Sequence, residues 1–217
     1  MIGGILWLFL SVWGASLPHA STDGVKRYGI AAPSQAKATV VILSSPSCDH
    51  CKFYHDTVLP TLIQAFGAEQ TPLTERLRIV FIPYFMDPFG WEVLKACSLK
   101  GEDHFLSLYH FFLTTQDQWM PQGDFEESET SWRSFVQGLG AVLEKKYASV
   151  SASQWSLRLQ AVPDEPWLLH HQAVTNAFQP QALPWVVLMD RSETHILHTF
   201  STPPRVKDIQ RVLTSFS

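Results

Sequence analysis

Cys48 and Cys51, with Asp49 and His50 between them, stand at a junction between two patterns. Before them runs the apolar, β-branched stretch Thr39-Val40-Val41-Ile42-Leu43, and after them the sequence takes on helical periodicity. This junction constrains the fold more than any other feature of the chain. A strand that runs into a helix start presents both thiols on one helical turn, where they can close a disulfide and carry two electrons reversibly. In a helix starting near Cys48, unpaired backbone N–H groups and the positive end of the dipole favour a thiolate at the first cysteine. Electron or disulfide exchange is therefore the expected chemistry.

The rest of the chain supplies a frame for that junction. A short edge strand is expected around Tyr28-Gly29-Ile30-Ala31, and Thr39 to Leu43 reads as a strand buried on both faces. From Asp49 to Phe66, Phe53, Tyr54, Leu59, Leu62, Ile63 and Phe66 recur at helical spacing, with Pro60 expected to kink the helix. Leu77 to Ile82 is the next strand, and strand–helix–strand at these lengths makes a βαβ unit. Trp91 to Leu113 then reads as one helix, with Phe105, Leu108, Tyr109, Phe112 and Leu113 on its apolar face. Further helical segments are expected over 131–147, 153–159 and 167–178. Strand patterning returns at Trp185 to Met189 and His195 to Phe200, and Val206 to Phe216 closes as an amphipathic helix. The order βαβ, helices, ββα predicts an α/β chain in which a thioredoxin fold is interrupted by a helical insertion.

Composition narrows the function classes. The chain has 217 residues, 46% hydrophobic and 17% charged, with a formal net charge of -4. That balance suits a globular protein and gives no reason to expect nucleic acid or an anionic membrane as a partner; a monomer is expected. Ile2 to Leu17 is almost wholly apolar and is followed by small residues, the pattern of a signal-peptide core, although no Lys or Arg follows Met1. An uncleaved N-terminal anchor is the alternative. Export to the periplasm or another extracytoplasmic space would place the thiols where a disulfide persists. With three cysteines in all, the pair is expected to be the working part and not a structural staple, leaving Cys97 as a buried, inert thiol on a helix.

Ser47-Cys48-Asp49-His50-Cys51-Lys52-Phe53 resembles the active site of the DsbA-like thiol-disulfide oxidoreductases. Gly101 to His110, followed by Gln116 and Trp119, resembles that family's helical-domain pattern, and Ala182-Leu183-Pro184-Trp185 its cis-proline loop. With the apolar N-terminus read as a signal peptide over 1–20, the resemblance implies a first thioredoxin part over 21–87, a helical insertion over 88–180 and a second thioredoxin part over 181–217. It also implies catalytic roles for Cys48, Cys51, His50 and Pro184. No cofactor is implied beyond the redox-active Cys48–Cys51 disulfide.

Each of these residues has a separable expected role. Cys48 is the exposed nucleophile, or the sulfur attacked when the disulfide is present; Cys51 is the resolving thiol. His50 can favour the Cys48 thiolate, while the Asp49 carboxylate opposes a second negative charge. A cis bond at Pro184 would present the Leu183 backbone to a substrate chain. His55 extends the pair to Cys48-x2-Cys51-x3-His55, but nothing completes a tetrahedral metal set. His104, His110, His170 and His171 are read as surface or packing residues. Three functions remain open: an oxidase donating its disulfide to exported proteins with free thiols and reoxidised by a membrane partner; an isomerase or reductase; and a non-enzymatic binding or metal-delivery module.

Overall fold

The strand Ala38–Ser44 (β2) is buried along its whole length, because apolar side chains leave it on both faces. Val40 and Ile42 point to one side and Val41 and Leu43 to the other, the period-two alternation of a strand with no solvent face. The computed structural model describes residues 25–73, 75–121 and 128–216. The expected signal peptide lies outside the described residues, among which no helix is long and apolar enough to cross a membrane.

Tyr28–Ala31 (β1), Leu77–Pro83 (β3), Trp185–Asp190 (β4) and Ile196–Phe200 (β5) complete a five-stranded sheet ordered β1-β3-β2-β4-β5. β2 and β3 run parallel with Ile42 opposite Phe81, while β1, β4 and β5 join antiparallel. A helical stretch leaves β2 and crosses back to β3, as a parallel pair requires. It begins as α1 (Asp49–Phe53), passes through a π-helical turn (Tyr54–Val58), continues as α2 (Leu59–Leu62) and ends in a second π turn (Ile63–Gly67). Pro60 explains the interruption. It has no N–H to donate, and the chain widens just before it, so that the Leu59 N–H reaches back to the Tyr54 carbonyl.

Between β3 and β4 come Pro88–Ser98 (α3), Glu102–Thr114 (α4), Gln116–Trp119 (α5), Glu129–Lys146 (α6), Ala152–Gln160 (α7) and Glu165–Phe178 (α8). The single helix expected over 91–113 is thus two. Gly101 breaks it with φ 84, a backbone region in which a Cβ would be strained. The short Val206–Thr214 (α9) closes the chain.

Three apolar clusters follow from this layout. α2, α9 and the Val40–Ile42 face of the sheet form one, and α8 covers the Val41–Leu43 face to form another. The third is built by α3, α4, α6 and α7 around Phe112, Leu139 and Trp155, and it reaches the sheet at Phe81 and α1 at Cys51. The helical layer therefore packs directly beneath the second cysteine.

Candidate active site

Cys48 is the residue that caps α1. Its backbone is extended at φ -96 and ψ 115, and its sulfur accepts the Cys51 backbone N–H at 3.1 Å. A side chain at this position sits where the first helical N–H groups have no intrahelical partner. Hydrogen bonding with the Cys51 side chain lowers the Cys48 thiol pKa most, helped by the Cys51 and His50 backbone N–H groups; partial burial and the Asp49 carboxylate work against it. Cys51, one turn inward, is fully buried, and burial pushes its thiol well up, reinforced by the neighbouring Cys48. The two thiols are unpaired in this structure. One is partly accessible and acidified, the other enclosed and held protonated.

The loop ahead of Cys48 is fixed from three directions. Gln116, buried on α5, donates from Nε2 to the Pro46 carbonyl at 2.6 Å. The Ser47 hydroxyl donates to Asp87 at 2.6 Å and lies 2.8 Å from the Ser45 hydroxyl, while Asp87 also accepts the Gly90 N–H at the start of α3. Gly90 is required by this close approach, since a Cβ there would stand 2.8 Å from both serine hydroxyls. From the sheet side, the Tyr84 N–H bonds to the Ser44 carbonyl at 2.8 Å.

Pro184 arrives from the start of β4. The Leu183–Pro184 bond is cis, and the Leu183 carbonyl lies 3.6 Å from the Cys48 sulfur, which donates to it as a thiol. The structure thus brings Cys48, Cys51 and the Leu183–Pro184 loop together. His50 is placed beside them with its side chain exposed; what it offers Cys48 here is its backbone N–H.

The remaining histidines have other settings. His55 is buried against the rings of Phe81 and Tyr109, which lowers its pKa to about 4 through burial, with His110 adding to the effect. His170 is fully enclosed. Its Nδ1 accepts the Lys26 N–H at 2.9 Å, so Nε2 carries the proton and donates to the Pro83 carbonyl at 2.7 Å. His171 stacks on Tyr84 and Phe85, and His104 and His110 are exposed. Among the described residues, no group of three or more His, Cys, Asp or Glu side chains is placed to hold a metal ion. Cys97 is buried in the helical core.

No family model matches the chain. A curated protein of Rickettsia bellii named "Putative protein-disulfide oxidoreductase" is 30% identical over 113 residues, which is 52% of this chain and 40% of that protein. The chain thus matches less than half the length of that relative. Among solved structures, a protein-disulfide isomerase from Novosphingobium aromaticivorans superposes with a TM-score of 0.62 at 15% identity, covering 88% of this chain and 97% of the other. BdbD from Bacillus subtilis gives 0.59 at 14% identity, covering 92% and 96%, and Chlamydia trachomatis DsbA gives 0.58 at 16%, covering 87% and 90%. The chain has the DsbA fold. It is a thioredoxin fold carrying a helical insertion, and in this DsbA-like frame the cysteine pair sits at the end of β2, where the sheet meets the inserted helices.

Several residues that shape the site were not singled out from the sequence. Asp87 and Gly90 act on a loop about forty positions away, and nothing in their local pattern announces it. Ser44 falls just past the apolar run that marks the expected strand. Tyr109 reads as one more apolar residue on α4, although a hydroxyl on an inward helical face is itself a signal, because a buried Tyr O–H needs a partner.

Proposed function

We propose that this protein is an extracytoplasmic thiol-disulfide oxidoreductase that donates the Cys48–Cys51 disulfide to exported proteins bearing free thiols. The observation that carries this reading is the asymmetry of the two sulfurs: Cys48 is acidified at the start of α1 and open beside the Leu183 carbonyl, while Cys51 is buried and held protonated. A substrate thiolate attacks Cys48, and Cys51 leaves. The substrate's second thiolate then attacks the sulfur it has joined to Cys48, releasing Cys48 as a thiolate that the N–H groups of α1 stabilise. Stabilising the reduced form in this way makes the disulfide oxidising. Around the site, Phe53 and Met86 are exposed, and a hollow of about 580 Å³ lined by Tyr84, Phe85, Met86 and Trp91 adjoins Asp87, apolar surface suited to an unfolded chain. A membrane partner in the periplasm would reoxidise the pair.

The alternative direction, reduction or isomerisation, is favoured by one observation: Asp49 opposes the Cys48 thiolate. The reduction potential of the couple against glutathione decides between them. An oxidase is expected to lie well above thioredoxin's potential of about -270 mV. A value near that figure, with an ordinary Cys48 pKa, overturns the oxidase assignment. In refolding of a reduced substrate protein, Cys48→Ser is expected to lose all activity.

A further inference from the structure

Cys51 is the sulfur that must carry a negative charge inside the protein, at the moment a substrate thiolate attacks Cys48. Among the described residues the one buried carboxylate is Glu193, at the β4–β5 turn, paired with Arg27 and Arg78. The polar groups at Cys51 are hydroxyls instead. Ser44, the last residue of β2, is fully buried, and its hydroxyl, with the Ser45 backbone, acts to lower the Cys51 thiol pKa against the effect of burial. The Ser44 oxygen is in turn 2.8 Å from the hydroxyl of Tyr109, which is also buried, on α4. A serine has a single hydrogen to give. When it points to the sulfur, the bond with Tyr109 must be donated by the tyrosine, so the order is Tyr109 O–H to Ser44 O–H to Cys51 sulfur.

We propose that Ser44 and Tyr109 form a hydroxyl pair that holds the Cys51 leaving thiolate, with Ser44 touching the sulfur and Tyr109 acting through Ser44 as a positioning residue. This deepens the reading of the cysteine pair as an exchange site and rests on it. In the step concerned, the incoming thiolate forms a bond to the Cys48 sulfur and the Cys48–Cys51 bond breaks. The electron pair of that bond stays on Cys51, and a proton from water later converts it to the thiol. A leaving sulfur that is better stabilised leaves faster. Hydrogen bonds in an enclosed site are strong where charge develops, because no solvent has to reorganise. Tyr109 keeps its own proton throughout, since burial raises its pKa well above the ordinary value.

The device is a specific pairing and not a general polarity. The Tyr109 ring is fixed by Phe81 at 4.5 Å, Phe105 at 6.3 Å and His55 at 5.8 Å, so its hydroxyl is aimed by packing. Ser44 is fixed by the β2 ladder and by the Tyr84 N–H on its carbonyl. Sheet and helical insertion therefore each contribute one hydroxyl, and they meet beneath the reacting sulfur.

The test is the rate at which reduced glutathione opens the Cys48–Cys51 disulfide, in the full chain and in Tyr109→Phe, Ser44→Ala and the double variant. Tyr109→Phe retains the ring and its packing and is expected to slow the opening about fivefold, the worth of one hydrogen bond. Ser44→Ala is expected to slow it at least as much. The double variant is expected to be no slower than Ser44→Ala, because Tyr109 works only through the serine. The equilibrium potential is expected to stay near the parent value, since Cys51 is a neutral thiol in the reduced form. Unchanged rates in both single variants, additive losses in the double variant, or a potential that moves by the same factor as the rate would each overturn the inference while leaving the exchange reading intact. A parent disulfide inert to glutathione would overturn both.

Discussion

Asp49 and the backbone of His50 act on Cys48 with opposite signs, one through charge and the other through a hydrogen bond. The carboxylate makes a nearby thiolate less favourable, and the N–H groups make it more so. Asp49→Asn removes only the opposing charge. The pH at which Cys48 is half-alkylated by iodoacetamide is therefore expected to fall in that variant, and the disulfide to become more oxidising, because its reduced form gains stability. A half-alkylation pH that stays put or rises would contradict the placement of Asp49. At this scale much was legible in the sequence. The spacing of Cys48 and Cys51 and the nature of the residues between them are local facts, and a strand followed by a helix start dictates which sulfur meets the free N–H groups. The Ser44–Tyr109 contact was not legible, because it joins residues 65 positions apart through the packing of two layers.

The elements show where local pattern suffices and where it fails. β2 and β3 follow from their apolar runs, since their short length and β-branched content favour a buried strand over a buried helix. The break between α3 and α4 escaped the periodicity because Val93, Leu94, Cys97 and Phe105 keep an apolar rhythm across it, and an isolated glycine in such a pattern is tolerated. The start of α3 is the element on which the active-site loop leans. Gly90→Ala would drive a methyl group to within 2.8 Å of the Ser45 and Ser47 hydroxyls and 3.3 Å of the Phe85 side chain. It is expected to cost about 1–3 kcal/mol in chemical denaturation, the usual penalty of overpacking. It should also slow glutathione exchange, because the loop ahead of Cys48 must shift. α8 is held to the end of β3 by His170, so His170→Ala leaves the buried Pro83 carbonyl without that donor. A loss of about 2 kcal/mol is expected from the same measurement.

Over the whole molecule, acid should weaken the fold through its buried histidines. Burial lowers His55 and His170 to about 4, so both stay neutral in the folded chain at pH values where the unfolded chain protonates them. Their contribution is fully present above pH ~6.5 and is lost as pH falls from there through about 4. Each is worth on the order of 3 kcal/mol over that window. Urea midpoints measured from pH 7 to pH 4 are expected to fall steadily, and His55→Phe, which keeps an aromatic ring in that apolar setting, is expected to flatten the slope. A midpoint independent of pH in that range would contradict the buried neutral state of these rings.

The Glu193 cluster has a consequence of its own. Glu193 lies at the turn beyond β4, where Arg27, Arg78 and Thr39 converge on its carboxylate, and Thr39 is at the end of β2 remote from Cys48. The length of β2 separates the two, on the order of 20 Å at strand rise and more than twice the Debye length at physiological salt. The molecule thus has two electrical poles that do not sense each other: an ionic clasp at one end of the sheet and a sulfur site at the other. Added salt can loosen the clasp at its half-exposed Arg78 and lower the melting temperature, while the contacts that acidify Cys48, hydrogen bonding with the Cys51 side chain first and the N–H groups of α1 after it, are left unscreened.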